Sequence, residues 1–166
     1  MKKFSLLLVL FVTLFAACKK KEECPYTQST QVAPDSEVAA VQQYLTTNNI
    51  TNATKHPSGF FYSIDLPGTG STPTMCSQIG ILYKGQLTNG TVFDETTNGQ
   101  IRVFTLGELI PGWKLGIPLI MPGGKIKLYI PPTLGYGANA IKDNQGNVVI
   151  PANSILVFEV ELKAMG

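Results

Sequence analysis

Apolar positions along the chain fall into one helical stretch followed by a series of period-two runs. Val38, Val41, Tyr44 and Leu45 recur at the spacing of a helix face. Pro34, Asp35, Ser36 and Glu37 precede them, with Asp35 placed to cap the helix and Glu37 in its first turn. Asn48, Asn49, Thr51 and Asn52 close it, so the pattern predicts one short helix packed on a domain. Phe60, Tyr62, Ile64 and Leu66 then alternate with other residues, which predicts a half-buried strand with these four inward. Ile79, Ile81, Tyr83 and Leu87 repeat the pattern, and Asn89-Gly90 predicts a tight hairpin turn because both residues tolerate positive φ. The partner strand starts at Thr91-Val92-Phe93, and residues 101–106 form another short strand.

Pro111 suits the first position of a second helix, which Gly116 and Pro118 keep short. Pro122-Gly123-Gly124 turns the chain into a strand in which Ile126, Leu128 and Ile130 alternate with Lys125, Lys127 and Tyr129. Residues 131–153 read as a long loop. Leu156, Phe158, Val160 and Leu162 share one face of the last strand, with Glu159 and Glu161 pointing to solvent. Antiparallel strands around one short central helix predict an α+β domain whose helix covers one sheet face.

The first residues obey a different rule. Met1-Lys2-Lys3 is a positive start, residues 4–17 are almost wholly apolar, and Ala16-Ala17-Cys18 follows. The run is shorter than the ~20 residues a bilayer span needs. Small residues at its end fit a secretory signal peptide, and the cysteine directly after them resembles a bacterial lipoprotein signal. In that reading Cys18 is the lipidated first residue of a protein anchored to the outer membrane of the cell envelope, with no other membrane contact. The alternative is an ordinary signal peptide with an incidental cysteine. The expected organisation is therefore a signal peptide over 1–17, a polar linker over 18–34, a helical lead-in over 35–57 and the main domain over 58–166. A linker from Cys18 to Ser36 could reach about 60 Å, enough to hold the domain clear of the membrane.

Composition narrows the function. Charged residues are 14% of the 166, below the ~25% usual for soluble domains. Removing Lys2 and Lys3 from the 13 basic residues leaves 11, equal to the 11 acidic ones. A neutral chain with no basic stripe offers no electrostatic footprint for nucleic acid. Of three cysteines, Cys24 and Cys76 remain once Cys18 is set aside; an exported chain allows them to pair, and two independent small residues are the other reading. The lone histidine, His56, stands in a polar lead-in and reads as a surface residue. No metal-ligand spacing occurs, and Gly123-Gly124-Lys125 lacks the rest of a phosphate loop. Hydrolases built on zinc, a nucleophile or an acid–base pair have little support, and no metal or organic cofactor is implied.

One ordered set of segments does carry a signal. Tyr83-Lys84-Gly85, Asn89-Gly90-Thr91-Val92-Phe93-Asp94, Phe104-Thr105-Leu106-Gly107, Ile110-Pro111-Gly112-Trp113, Tyr136-Gly137-Ala138, Ile150-Pro151 and the last strand follow one another across residues 58–163. In this order they resemble the FK506-binding-protein family of peptidyl-prolyl cis-trans isomerases. The resemblance implies a curved antiparallel sheet wrapped around the short helix, and a pocket floored by Trp113. It implies walls formed by Tyr83, Phe93, Leu109, Ile110, Tyr136, Ile150 and Phe158. The Ile110 N–H and the Tyr136 hydroxyl would hold substrate carbonyls, and Asp94 would stand at the rim as the third catalytic group. It implies proline-containing polypeptides as substrates, and macrolides such as FK506 or rapamycin as ligands. Arg102 either lines the rim or points to water, and residues 138–149 flank the pocket. Two functions fit such a pocket: an isomerase, or a binding module that grips clients without turnover.

Overall fold

The computed structural model describes residues 23–166; the expected signal peptide and Cys18 lie outside them. Helix α1 (Asp35–Thr47) leads into β1 (Thr54–Lys55) and β2 (Phe61–Leu66). Then come β3 (Gln78–Leu87), β4 (Val92–Glu95) and β5 (Arg102–Thr105). Helix α2 (Pro111–Gly116) precedes β6 (Lys125–Ile130). A hairpin of β7 (Ile141–Lys142) and β8 (Val148–Ile150) precedes the long β9 (Leu156–Met165). Seven strands form one antiparallel sheet in the order β1-β2-β6-β9-β3-β4, with β5 also paired to β3. This is the α+β arrangement expected, with the sheet wrapped around α2.

The two faces of the sheet receive different cover. Ile79, Ile81 and Tyr83 of β3, Ile126, Leu128 and Ile130 of β6, and Leu156, Phe158, Val160 and Leu162 of β9 are buried. Helix α2 lies against this inner face. A Cβ at Gly112 would come within 2.6 Å of Ile130 Cδ1, and one at Gly116 within 2.6 Å of Leu128 Cδ2. Two glycines one turn apart thus let the helix axis settle onto β6 and swing Trp113 and Leu115 into the core. On the outer face α1 buries Val38, Val41 and Leu45, and Tyr44 packs on Tyr129 of β6 with ring centroids 6.3 Å apart. The Glu37 carboxylate ties α1 down by accepting the Thr133 N–H and hydroxyl, both at 2.8 Å.

Several local expectations need correction. Asp35 is the first helical residue and not the cap; Pro34 holds the cap position. In β2, Phe61 and Ser63 are buried, while Ile64 and Leu66 are exposed. Tyr62 and Ile64 pair with Leu128 and Ile126 and so do face the inner side. Beyond the two-residue β1, however, β2 is an edge strand, and the inner cover stops before Ile64. At the 87–92 hairpin only Gly90 takes positive φ (+85°); its N–H reaches the Leu87 carbonyl at 2.9 Å, and Asn89 instead accepts the Thr91 N–H. The expected loop over 131–153 contains the β7–β8 hairpin. His56 is half-buried, stacked on Phe60 at 4.4 Å and bonded to Ser58 Oγ at 2.7 Å.

Cys24 and Cys76 form a disulfide. It closes a loop spanning 52 residues in sequence, which the chain-entropy model values at about 4 kcal/mol. Ala33 is also fixed, its N–H donating to the Ser58 carbonyl at 2.9 Å. From Cys24 onward the chain before α1 is fastened to the domain at these points.

Candidate active site

Between α2, the inner face of the sheet and the β7–β8 hairpin lies an open cavity of ≈ 450 Å³. Its lining is mostly apolar. Every pocket residue expected from the sequence reaches it: Tyr83, Phe93, Asp94, Leu109, Ile110, Trp113, Tyr136, Ile150 and Phe158. Arg102, Phe104, Glu108, Ile141 and Val149 line it as well.

Trp113 forms the floor. Its ring is only 4% exposed, held edge-on by Tyr83 at 5.3 Å, Phe158 at 5.0 Å and Phe104 at 6.4 Å. Phe93 meets Phe158 edge-on at 5.5 Å. Edge-to-face packing of this kind adds roughly 0.5–1.5 kcal/mol per pair beyond area burial. It also fixes the orientation of each ring, so the cavity walls are rigid. Gly85 makes the Phe93–Phe158 contact possible: a Cβ there would lie 2.6 Å from Phe93 Cε2 and 2.7 Å from Phe158 Cε1.

Two polar groups face this apolar space without a protein partner among the described residues, and a third lies buried beneath it. Trp113 Nε1 is buried with no acceptor. The Ile110 N–H stands at the N-cap of α2; the Ile110 carbonyl serves the helix, accepting from Trp113 N at 2.9 Å and Lys114 N at 3.1 Å, while the N–H finds no acceptor. The Tyr136 hydroxyl likewise has no hydrogen-bond partner, and its ionisation is pushed above the ordinary tyrosine value by burial and then by the Asp94 charge. A ligand with carbonyl groups in the cavity would satisfy the Ile110 N–H and the Tyr136 hydroxyl.

The rim is a fixed polar cluster. The Tyr83 hydroxyl donates a short hydrogen bond to Asp94 Oδ2. Arg102 Nη1 lies 2.9 Å from the Tyr83 oxygen and 3.2 Å from Asp94 Oδ1, with its guanidinium 5.7 Å from the Tyr83 ring centre. Burial, followed by Asp94, drives the Tyr83 hydroxyl far above its usual ionisation, so it remains a donor. Arg102 therefore lines the rim; it does not simply point to water. Its exposure of 49% and that of Asp94, 45%, leave the pair open to solvent.

Sequence reasoning missed Phe104, Ile141, Val149 and Glu108 as lining residues. For Phe104 a signal existed: it sits two residues from Arg102, and β5 pairs residue by residue with β3, placing Phe104 opposite Ile79 and Arg102 opposite Ile81. Ile141 and Val149 carried no such signal, because strands of two and three residues show no period.

The comparisons with known proteins agree with this geometry. A model of the family described as FKBP-type peptidyl-prolyl cis-trans isomerase matches residues 70–163. The chain is 44% identical over 117 residues to the FKBP-type peptidyl-prolyl cis-trans isomerase FkpA of Buchnera aphidicola, covering 69% of this chain and 44% of that protein. It is 42% identical over 106 residues to FkpA of Escherichia coli K12, covering 63% and 37%. The chain thus spans less than half the length of these curated relatives. The crystal structure of FkpA from Escherichia coli superposes with a TM-score of 0.66 at 35% identity, covering 79% of this chain and 60% of that one. A peptidyl-prolyl cis-trans isomerase from Pseudomonas syringae gives 0.66 at 27% identity, covering 83% and 99%. With the family match extending over more than half of its residues, the chain belongs to the FKBP-type peptidyl-prolyl cis-trans isomerases.

Proposed function

We propose that this protein accelerates cis–trans isomerisation of X–Pro bonds in exported polypeptides, by taking the amide out of water. The observation that carries the reading is an open, apolar cavity of ≈ 450 Å³ floored by Trp113, with unmatched donors at its wall. Twisting an amide breaks C–N resonance over a barrier of about 18–20 kcal/mol. The planar amide is more dipolar than the twisted one, so an apolar site destabilises it more and lowers the barrier. No proton leaves and no covalent bond forms, so the reaction asks for neither a nucleophile nor a histidine.

In this reading the prolyl ring sits on the Trp113 indole between Tyr83, Phe93 and Phe158. The Ile110 N–H and the Tyr136 hydroxyl hold substrate carbonyls. Asp94 acts electrostatically: as resonance is lost the amide oxygen sheds negative charge, so a carboxylate near it opposes the planar state more than the twisted one. Arg102 and Tyr83 hold that carboxylate in place. Macrolides such as FK506 or rapamycin occupy the same cavity. The apolar N-terminal run, the cysteine after its small residues and the Cys24–Cys76 disulfide together support a lipoprotein anchored at Cys18 to the outer membrane of a bacterial envelope, since stable disulfides belong to oxidising compartments.

A protease-free assay on a proline tetrapeptide tests this. Acceleration over the uncatalysed rate is expected, suppressed by rapamycin and reduced about 10- to 100-fold by Asp94→Ala. No acceleration overturns the enzyme reading; peptide binding without turnover would leave a binding module. Acyl chains on Cys18 in the mass of the mature protein test the anchor.

A further inference from the structure

A second feature reaches the cavity from outside it. Residues 24–26 run as a strap beside the 106–110 segment, and three contacts fasten them there. Cys24 is joined to Cys76. The Tyr26 ring lies on bare Gly107, where a Cβ would come within 2.2 Å of Tyr26 Cγ. The Tyr26 hydroxyl donates to Glu108 Oε1 at 2.5 Å. The turn carrying Cys76 is bonded to the same segment, with Gly107 N–H on the Met75 carbonyl at 2.7 Å and Leu106 N–H on the Ser77 carbonyl at 3.1 Å. Glu108, Leu109 and Ile110 follow directly and line the cavity, and Ile110 begins α2 with Trp113.

We propose that Tyr26, latched by the Cys24–Cys76 disulfide, is a positioning residue for the cavity wall over residues 108–110. The physical reason is local. Residues 109–110 are held by backbone bonds alone: the Leu109 N–H on the Leu106 carbonyl at 3.2 Å and the Ile110 carbonyl on the Trp113 and Lys114 N–H groups, with no side-chain cap on α2 and with β5 ending at Thr105. Gly107 has no side chain with which to pack, and the Tyr26 ring lies over it. The strap therefore fixes the entry to α2 from the solvent side, and with it the direction of the Ile110 N–H. Loss of the strap leaves the core intact but lets that donor wander, and small misplacements of a positioning group are costly. Tyr26 touches no substrate in this scheme.

The inference rests on the isomerase reading, and the test separates the two. Trp113 is the only tryptophan in the chain, so its emission reports the cavity without turnover. With the full oxidised chain, Tyr26→Ala is expected to raise KM for a proline tetrapeptide about three- to tenfold with kcat within about twofold. It is also expected to shift Trp113 emission and speed exchange of the Leu109 amide, which is bonded to the Leu106 carbonyl. Tyr26→Phe keeps the ring on Gly107 and restores most of the wild-type KM. Reducing the folded wild type with a dithiol opens the latch: the disulfide takes two electrons and two protons to give two thiols, and the reductant becomes a disulfide. This should reproduce the Tyr26→Ala effects, and it supplies the same reading should that variant fail to fold. Glu37→Ala, outside the cavity lining, serves as the stability control. The proposal is overturned if Tyr26→Ala and reduction lower Tm as Glu37→Ala does while KM, Trp113 emission and Leu109 exchange stay at wild-type values. If the unmodified protein shows no turnover, the isomerase reading fails, and emission and exchange still decide the role of the strap.

Discussion

On the outer face of the sheet, Lys125 and Lys127 of β6 stand opposite Glu161 and Glu159 of β9 and bond to them at 3.5 and 3.2 Å. Lys163 adds a second cation to Glu161 at 2.8 Å, and holds that carboxyl below its usual range. Here each of these charges has a partner, and α1 packs beside them on Tyr129. On the inner face Phe158 of β9, Tyr83 of β3 and Trp113 of α2 bound a cavity, and the Ile110 N–H and the Tyr136 hydroxyl are left without protein partners among the described residues. The outer face keeps one buried polar atom without a partner, Ser63 Oγ; what separates the inner face is an open cavity beside its free donors. The paired face is scaffold; the unpaired face is the place where a ligand completes the hydrogen bonding.

The largest effect should come from cutting the inner face. Phe158 is buried and touches both Trp113 and Phe93. Phe158→Ala should lower unfolding free energy by about 3–5 kcal/mol, read by urea denaturation, and abolish rapamycin binding because the Trp113 floor loses its brace. Retention of wild-type macrolide affinity in a folded variant would break the comparison, since the inner face would then tolerate what only a scaffold tolerates.

Glu37→Ala addresses the outer side. It removes the acceptor for two Thr133 donors, a loss of about 1–3 kcal/mol. Stability should fall while KM for a proline peptide is unchanged. A rise in KM would mean that α1 and the loop starting at Thr133 hold the cavity, and that the two faces are not independent. Smaller still is Lys127→Ala. Its pair with Glu159 is solvent-exposed on both sides, and such pairs are worth about 0–1 kcal/mol. Activity and Tm should stay close to wild type.

How much of this was legible in the sequence follows from the same division. Where a strand buries one face and wets the other, the alternation is plain: Ile79-Ile81-Tyr83 and Leu156-Phe158-Val160-Leu162 lie inward as read. Where cover comes from an unexpected quarter, the pattern misleads. Tyr129 alternates with apolar neighbours and reads as exposed, yet α1 buries it from outside. Ile64 continues the inward series of β2 and is exposed because the sheet ends there. The cavity floor and its main walls came from the family resemblance that the ordered motifs carry, not from period or spacing. The Tyr26 strap was out of reach: it depends on a glycine, a disulfide and one long-range hydrogen bond, none of which leaves a periodic trace. Arg102 stood at a strand position open to either side, and only the Asp94 carboxylate beside it settles its direction.

The smallest effect concerns His56, which lies on neither working face. Burial lowers its ionisation below the ordinary value of 6.5, because the ring packs on Phe60 and the charged form would lose water. The unfolded chain therefore binds a proton at a higher pH than the folded one. Stability is full above pH 6.5, falls as the pH drops through that value, and levels off once the folded ring is also protonated. Thermal unfolding between pH 8 and 5 should show this decline, and His56→Gln should remove it. The ring is far from the cavity wall, so the pH profile of kcat/KM over the same range should be flat in both proteins. A profile that bends with His56 present and straightens in the variant would tie this edge of the sheet to turnover, and the division between a finished scaffold and an open working face would have to be redrawn to include the lead-in to β2.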